Sequence, residues 1–149
     1  MKKIITMLLC VLLISATIVP ISAANTSDSK ITKFDLSYFY YREVSARSKT
    51  NTTPLYFYYT IGKHNSVQVQ ALGSTTASTD TTDNLTLSDG KYVKRVTCQK
   101  GTQYSVQSYI YESGYRYARL GLSTNWLAGD TISGVWSPDS AGTYKIAKY

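Results

Sequence analysis

The chain has very few of the residues that build metal centres and catalytic triads. It holds two cysteines and one histidine, His64. Cys10 lies in the extreme N-terminal segment, and Cys98 is the only cysteine after it, so the body of the chain can form no internal disulfide. Its stability must come from a packed core. A lone thiol in such a chain is either a small buried hydrophobe or open to pairing with another molecule, and the buried state is the expectation. One His and one Cys serve zinc poorly. A hydrolytic triad needs a base, an orienting acid and an activated nucleophile in mutual reach. No Gly-x-Ser-x-Gly elbow supplies the nucleophile, and Lys63-His64-Asn65 reads as an exposed turn. Glu43, Glu112, Asp130 and Asp139 offer carboxylates for a glycosidase pair, but Asp130 and Asp139 stand in turns where Asp is common for conformational reasons. Asp80 and Asp83 match no EF-hand spacing. The expectation is a non-enzymatic protein with no cofactor, no catalytic residues and no metal site.

Charge and long apolar runs are also scarce, except at the start. Lys2 and Lys3 precede an apolar stretch from Ile4 to Val19, Pro20 breaks it, and Ser22-Ala23-Ala24 brings small side chains to the positions a signal peptidase reads. That is the layout of a secretory signal peptide over residues 1–24, cleaved after Ala24 or one residue earlier, leaving a single domain over 25–149. Because the apolar run approaches spanning length, an uncleaved membrane anchor is the competing reading; the Pro and small-residue exit favours cleavage. Cys10 sits behind Leu8 and Leu9, inside the apolar run, and so does not mark a lipoprotein cleavage point. The expected location is extracellular or wall-associated, with membrane contact only through the leader.

Without Lys2 and Lys3 there are 14 basic against 9 acidic side chains, a net of +5. The excess is moderate and dispersed, and it suits anionic neighbours such as wall polymers or lipid headgroups. What the chain has in abundance is tyrosine, 14 residues against three Phe, all of it after the leader. Each ring carries a hydroxyl that needs water or a partner.

No segment after the leader shows a helical repeat. Asn25 to Ser29 reads as a loose polar leader. Period-two alternation then predicts strands: Phe34, Leu36, Tyr38 and Tyr40 share one face of Lys33 to Tyr41. Leu55, Phe57, Tyr59 and Ile61 face Val67, Val69 and Ala71 across a loop from Gly62 to Ser66, which predicts a hairpin with Ile61 opposite Val67. Gly73 to Asp83 is a Ser/Thr-rich loop, and Asp89-Gly90 and Lys100-Gly101 are turns. A second hairpin pairs Tyr104, Val106 and Ile110 with Ala118, Leu120 and Leu122 around Glu112-Ser113-Gly114, with Gly114 in the left-handed position of a G1 bulge. Late strands follow over Thr131 to Trp136 and Thr143 to Tyr149. Seven or eight short strands without intervening helices predict an antiparallel two-sheet β-sandwich, with a small barrel as the alternative.

That register carries the functional expectation. It sets Tyr111 against Tyr115, Tyr109 against Tyr117 and Gln107 against Arg119, all on the face away from the aliphatic side chains. Such a platform would stack on sugar rings, with Gln107 and Arg119 supplying hydrogen bonds, and Tyr56 and Tyr58 would extend an analogous patch on the other hairpin. The competing account is that cross-strand tyrosine pairs simply stabilise an exposed sheet. Arg116 and Arg119 face opposite sides of the strand, which argues against a nucleic-acid-binding ridge.

Gly114-Tyr115, Ala118-Arg119-Leu120 and the run from Ile132 to Ser140 containing Trp136-Ser137-Pro138-Asp139-Ser140 resemble the ending of small exported proteins of Gram-positive bacteria. Ala46 to Pro54, followed by an aromatic strand, is similar to their N-terminal half. The resemblance implies export, and since those proteins have no known function it carries no catalytic residues across. The expected activity is binding of an extracellular glycan or anionic wall polymer, with no nucleic-acid partner and an open oligomeric state. The alternatives are a cationic, toxin-like antibacterial effector acting on anionic envelopes and a structural subunit assembling through sheet edges.

Overall fold

Alternating side chains favour extended backbone, and the described part of the chain is built from strands. A computed structural model describes residues 24–36, 41–78, 82–124 and 129–149. The expected signal segment up to Ala23, together with Tyr38, Tyr40, Asp80 and Trp126, lies outside the described residues. In order, the segments are β1 (Ser29–Leu36), β2 (Tyr41–Glu43), β3 (Arg47–Ser48), β4 (Leu55–Ile61), β5 (Ser66–Ser74), β6 (Asp83–Asn84), β7 (Leu87–Ser88), β8 (Lys91–Tyr92), β9 (Val96–Gln99), β10 (Gln103–Val106), β11 (Tyr117–Ser123), β12 (Asp130–Ser137) and β13 (Lys145–Ile146). Seven of these have four residues or more, against the seven or eight short strands expected. No helix among the described residues is long and apolar enough to cross a membrane.

The first sheet has the order β1-β12-β4-β10-β13. The second runs β2-β11-β5-β6, with β3 also on β11 and β9 also on β5. Among the described residues every pairing is antiparallel except the two-residue contact of β10 with β13, a parallel pair that the sequence reading did not foresee. β7 and β8 form a separate hairpin around Asp89-Gly90, whose φ angles of 51° and 76° suit a two-residue turn of type I′. One core joins the two large sheets. Leu55, Phe57, Ile132 and Trp136 come from the first, and Val69, Val96, Leu120 and Leu122 from the second. The architecture is therefore a β-sandwich.

Neither of the two long hairpins forms. β4 pairs with β10 and β12, while β5 pairs with β6, β9 and β11, so the chain crosses between sheets after Ile61. Ile61 does not oppose Val67 but is 66% exposed. Asp130 holds the crossing: its carboxylate accepts the Lys63 amide at 2.8 Å and the His64 amide at 3.0 Å. The Tyr59 hydroxyl sits 2.7 Å from the His64 carbonyl oxygen and 3.3 Å from the same carboxylate. A second crossing, from β9 to β10, runs beside the first and is tied to it by the Lys100 amide on the Asn65 carbonyl and the Gly101 amide on the Tyr59 carbonyl, both 2.8 Å.

β10 and β11 likewise belong to different sheets. Between them the Ser113 amide donates to the Tyr109 carbonyl at 2.9 Å, Gly114 to Tyr111 at 3.1 Å and Tyr115 to Ile110 at 3.1 Å. These bonds close one helical turn with a Schellman motif, and Gly114 takes its left-handed position with φ 89°. The expectation of a left-handed Gly114 holds, but it ends a helical turn and not a hairpin. β11 instead pairs with β5 from Tyr117↔Ser74 to Ser123↔Gln68.

The N-terminal strand starts earlier than alternation suggested. A register shift between Ile31 and Phe34, with Lys33 at φ 47°, turns both apolar side chains toward the core. The polar stretch before it is not loose at its start: Asn25 donates through its amide to Asp139 and through its side chain to the Ser48 carbonyl.

Candidate functional site

Val67, Val69 and Ala71 of β5 and Ala118, Leu120 and Leu122 of β11 fill the core. Alternation then sends Gln68, Gln70 and Leu72, and Arg119, Gly121 and Ser123, to the outer face of the second sheet. The cross-strand pairs Gly121↔Gln70 and Arg119↔Leu72 lie side by side there. At the adjoining edge, β2 contributes Tyr41 and Glu43 to the same face.

The Tyr41 ring lies across Gly121. A Cβ on residue 121 would stand 2.4 Å from the ring, so only glycine lets the hydroxyl end of the phenol come this close to the strand. Its hydroxyl donates to Glu43 Oε1 at 2.9 Å. Burial, that hydrogen bond and the carboxylate charge push the phenol pKa well above the usual tyrosine range. Glu43 Oε2 is 3.7 Å from Arg119 Nη1. Tyr41, Glu43, Gln70, Asn84, Lys94 and Arg95 border a groove of about 550 Å³. One aromatic face, two amides and two cations meet in it.

A second concavity of about 480 Å³ opens between the sheets, along β1 and the segment from Arg42 to Arg47. Lys30, Arg42 and Arg47 line it, and Glu43 borders both concavities. Arg42 stands 4.8 Å over the Phe34 ring and Arg47 5.8 Å over Trp136. These are partly desolvated positions for cations on aromatic faces.

The tyrosine platform read from the sequence is dispersed, because the hairpin that would have aligned it does not form. Gln107 and Tyr109 border one shallow depression, and Tyr109 meets Tyr92 edge-on with centroids 5.8 Å apart. Tyr111 and Tyr117 border another, beside Ser48 and Thr50, with the Arg116 guanidinium 4.3 Å over Tyr111. Tyr115 joins neither: its ring packs over Gly73 and its hydroxyl donates to Asp83. Arg119 is 1% exposed, and its Nη2 donates to the carbonyls of Ala77 and Ser78 at 2.8 and 2.6 Å. It is an internal brace of the outer face and not a free ligand-binding guanidinium. Tyr56 is buried against Tyr144, with centroids 4.7 Å apart, so the expected patch keeps only the half-buried Tyr58.

The sequence reading missed Tyr41, Lys94 and Arg95 as groove residues. The available signal was Gly121, a glycine inside an otherwise regular strand, which marks close approach by another group.

The two segments that carried the resemblance meet in space. Lys49, from Ala46 to Pro54, reaches Asp139, from the Trp136-to-Ser140 run, at 2.6 Å with both side chains buried. Thr50 donates to Asp139 Oδ2 through its amide at 3.1 Å and its hydroxyl at 2.6 Å. The Ser140 amide donates to Thr53 Oγ1 at 3.1 Å. A family model matches residues 19–140, which include both segments. The chain belongs to DUF2712, a family of proteins of unknown function. The DUF2712 match covers the clasp, the groove and the crossings between the sheets. No curated protein and no solved structure matches the chain.

Proposed function

We propose that this DUF2712 protein is exported and acts without catalysis, binding an anionic glycan or wall polymer in the groove on the outer face of the second sheet. The observation that carries the reading is the half-exposed Tyr41 ring set against Gly121 in a groove shared with Lys94 and Arg95. A flat exposed ring stacks on a sugar, amides bond its hydroxyls, and the two cations meet phosphate or carboxylate groups. Glu43 borders both concavities, so an extended polymer fits the surface better than a small molecule does. The leader supports export, and the surplus of basic side chains supports an anionic partner.

The test is co-sedimentation with Gram-positive sacculi, before and after acid stripping of their anionic polymers. Tyr41→Ala and the Lys94→Ala, Arg95→Ala pair are each expected to weaken retention roughly tenfold, a change of about 1.4 kcal/mol. Stripped sacculi are expected to retain less protein. Folded variants that bind as the parent does would overturn the reading.

A second reading, an effector acting on anionic envelopes, is favoured by one feature. Tyr92, Tyr109 and Tyr149 are exposed around the β7–β8 hairpin, close to Lys91 and Lys148. Dye release from anionic vesicles at micromolar protein supports that reading; intact vesicles reject it.

A further inference from the structure

The residue that follows the expected cleavage point is seated in a polar pocket. The Asn25 amide nitrogen lies 2.8 Å from Asp139 Oδ2 and 3.1 Å from Thr50 Oγ1. The Asn25 side chain fixes that position from the other side. Its Nδ2 donates to the Ser48 carbonyl at 2.9 Å, and its Oδ1 accepts from Arg47 Nη2 at 3.1 Å and from the Ser27 hydroxyl at 3.2 Å. Asp139 is fully buried, while Ala24, one residue before Asn25, is exposed. The Ala24–Asn25 bond is thus where the chain passes from solvent into the clasp.

An amide N–H brings one donor and no charge to that carboxylate. A free chain start at the same place brings three donors and a positive charge, and charge-assisted bonds are roughly twice as strong as neutral ones. We propose that removal of the leader after Ala24 converts the Asn25 amide into an α-ammonium held by Asp139 and Thr50, so that processing itself completes the Lys49–Asp139 clasp. In the step, water hydrolyses the Ala24–Asn25 peptide bond under a signal peptidase. Ala24 leaves as a carboxylate with the leader, and the Asn25 amine takes up a proton.

Asp139 then carries two cations, one on each oxygen: Lys49 Nζ on Oδ1 and the ammonium on Oδ2. The Thr50 hydroxyl is within reach of the ammonium, and the position vacated by Ala24 opens to water. Arg47, on the Asn25 side chain, is the opposing like charge, and Glu112 acts on Lys49 as a favourable one. The clasp joins the two segments most distant in sequence among those sharing this network, so a stronger bond here tightens the whole sandwich and not one loop.

The inference rests on the export reading and not on the groove. The mass of the protein recovered from culture medium locates the chain start; a start other than Asn25 overturns the assignment of the cleavage point. The pairing is tested with two purified chains, one beginning at Asn25 and one carrying Ala24 as a single extra residue. At pH 6 the Asn25 start is expected to have an unfolding equilibrium constant about tenfold smaller, the scale of a hydrogen bond to a charged group. Its α-amine is expected to be reductively methylated more slowly than that of the longer chain. Asp139→Asn in both chains, or Thr50→Val where the Asp139 variant does not fold, is expected to shrink both differences. Equal denaturation midpoints and equal amine reactivity for the two chains would overturn the pairing.

Discussion

Lys49 and Asp139 stand 90 residues apart in the chain and 2.6 Å apart in space, with neither side chain reaching solvent. Burial pulls the Lys49 pKa down despite its partner. Burial alone would raise the Asp139 carboxyl, but the bonds from Lys49, Thr50 and the Asn25 amide hold it below the usual carboxylate range. Losing one partner leaves the other buried without its counter-charge. Asp139→Leu is expected to cost about 3–5 kcal/mol in urea denaturation. Lys49→Met is expected to cost less, since Asp139 keeps its bonds from Thr50 and Asn25. The double replacement is expected to cost less than the sum of the two, and strict additivity in a double-mutant cycle would show that the pair is not coupled.

Acid should open the molecule through two carboxylates. Asp139 and Asp130 both have folded pKa values below the ordinary one; at Asp130 burial acts upward but the Lys63 and His64 amides and the Tyr59 hydroxyl outweigh it. A depressed folded pKa contributes stability that is fully present above the unfolded value, about 3.9 for Asp, and is lost as pH falls through the folded value. Stability is therefore expected to drop from about pH 4 downward. Asp130→Asn is expected to flatten that drop and to lower stability at pH 7. The check is a series of urea midpoints from pH 2 to pH 7.

Gly121→Ala separates the ring from the groove it serves. The added methyl meets the Tyr41 ring at 2.4 Å, so the phenol must leave the strand. Overpacking of this kind costs about 1–3 kcal/mol. Wall retention is expected to fall as far as it does in Tyr41→Ala, while the tertiary circular dichroism of the core stays native. A variant with parent-like retention would show that the ring's position is not what binds.

Cys98 is fully buried, and burial pushes its thiol pKa far up. A chain beginning at Asn25, which lacks Cys10, is expected to give no labelling with a thiol-disulfide reagent at pH 8 when native, and one thiol per chain in denaturant. Rapid labelling of the native state would place Cys98 at the surface.

The inward faces of the strands were legible because alternation reports them directly. Leu55, Phe57, Val67, Val69, Leu120 and Leu122 are buried, as expected. Partner choice was not legible. A hairpin and a crossing between sheets both bring the Tyr59 and Val69 sides inward, and the contacts that favour the crossing, such as those of Asp130 with Lys63 and His64, come from far along the chain. Asp130 opens β12, far along the chain from that loop, and a local pattern carries no such information. The same limit undid the tyrosine platform. Strand direction does alternate, but Tyr109 to Tyr115 lie in a helical turn, where the period is different. The groove stayed hidden because its cations follow β8, its ring opens β2 and its glycine lies in β11.

Among the described residues β1 has one sheet neighbour, β12, and β12 separates it from β4. The first strand to be made thus has no strand to pair with until Trp136, more than a hundred residues later, has been made as well. Non-local pairing of this sort folds slowly. A chain so wired stays a pliable thread while it is being made and acquires rigidity only when β12 is complete.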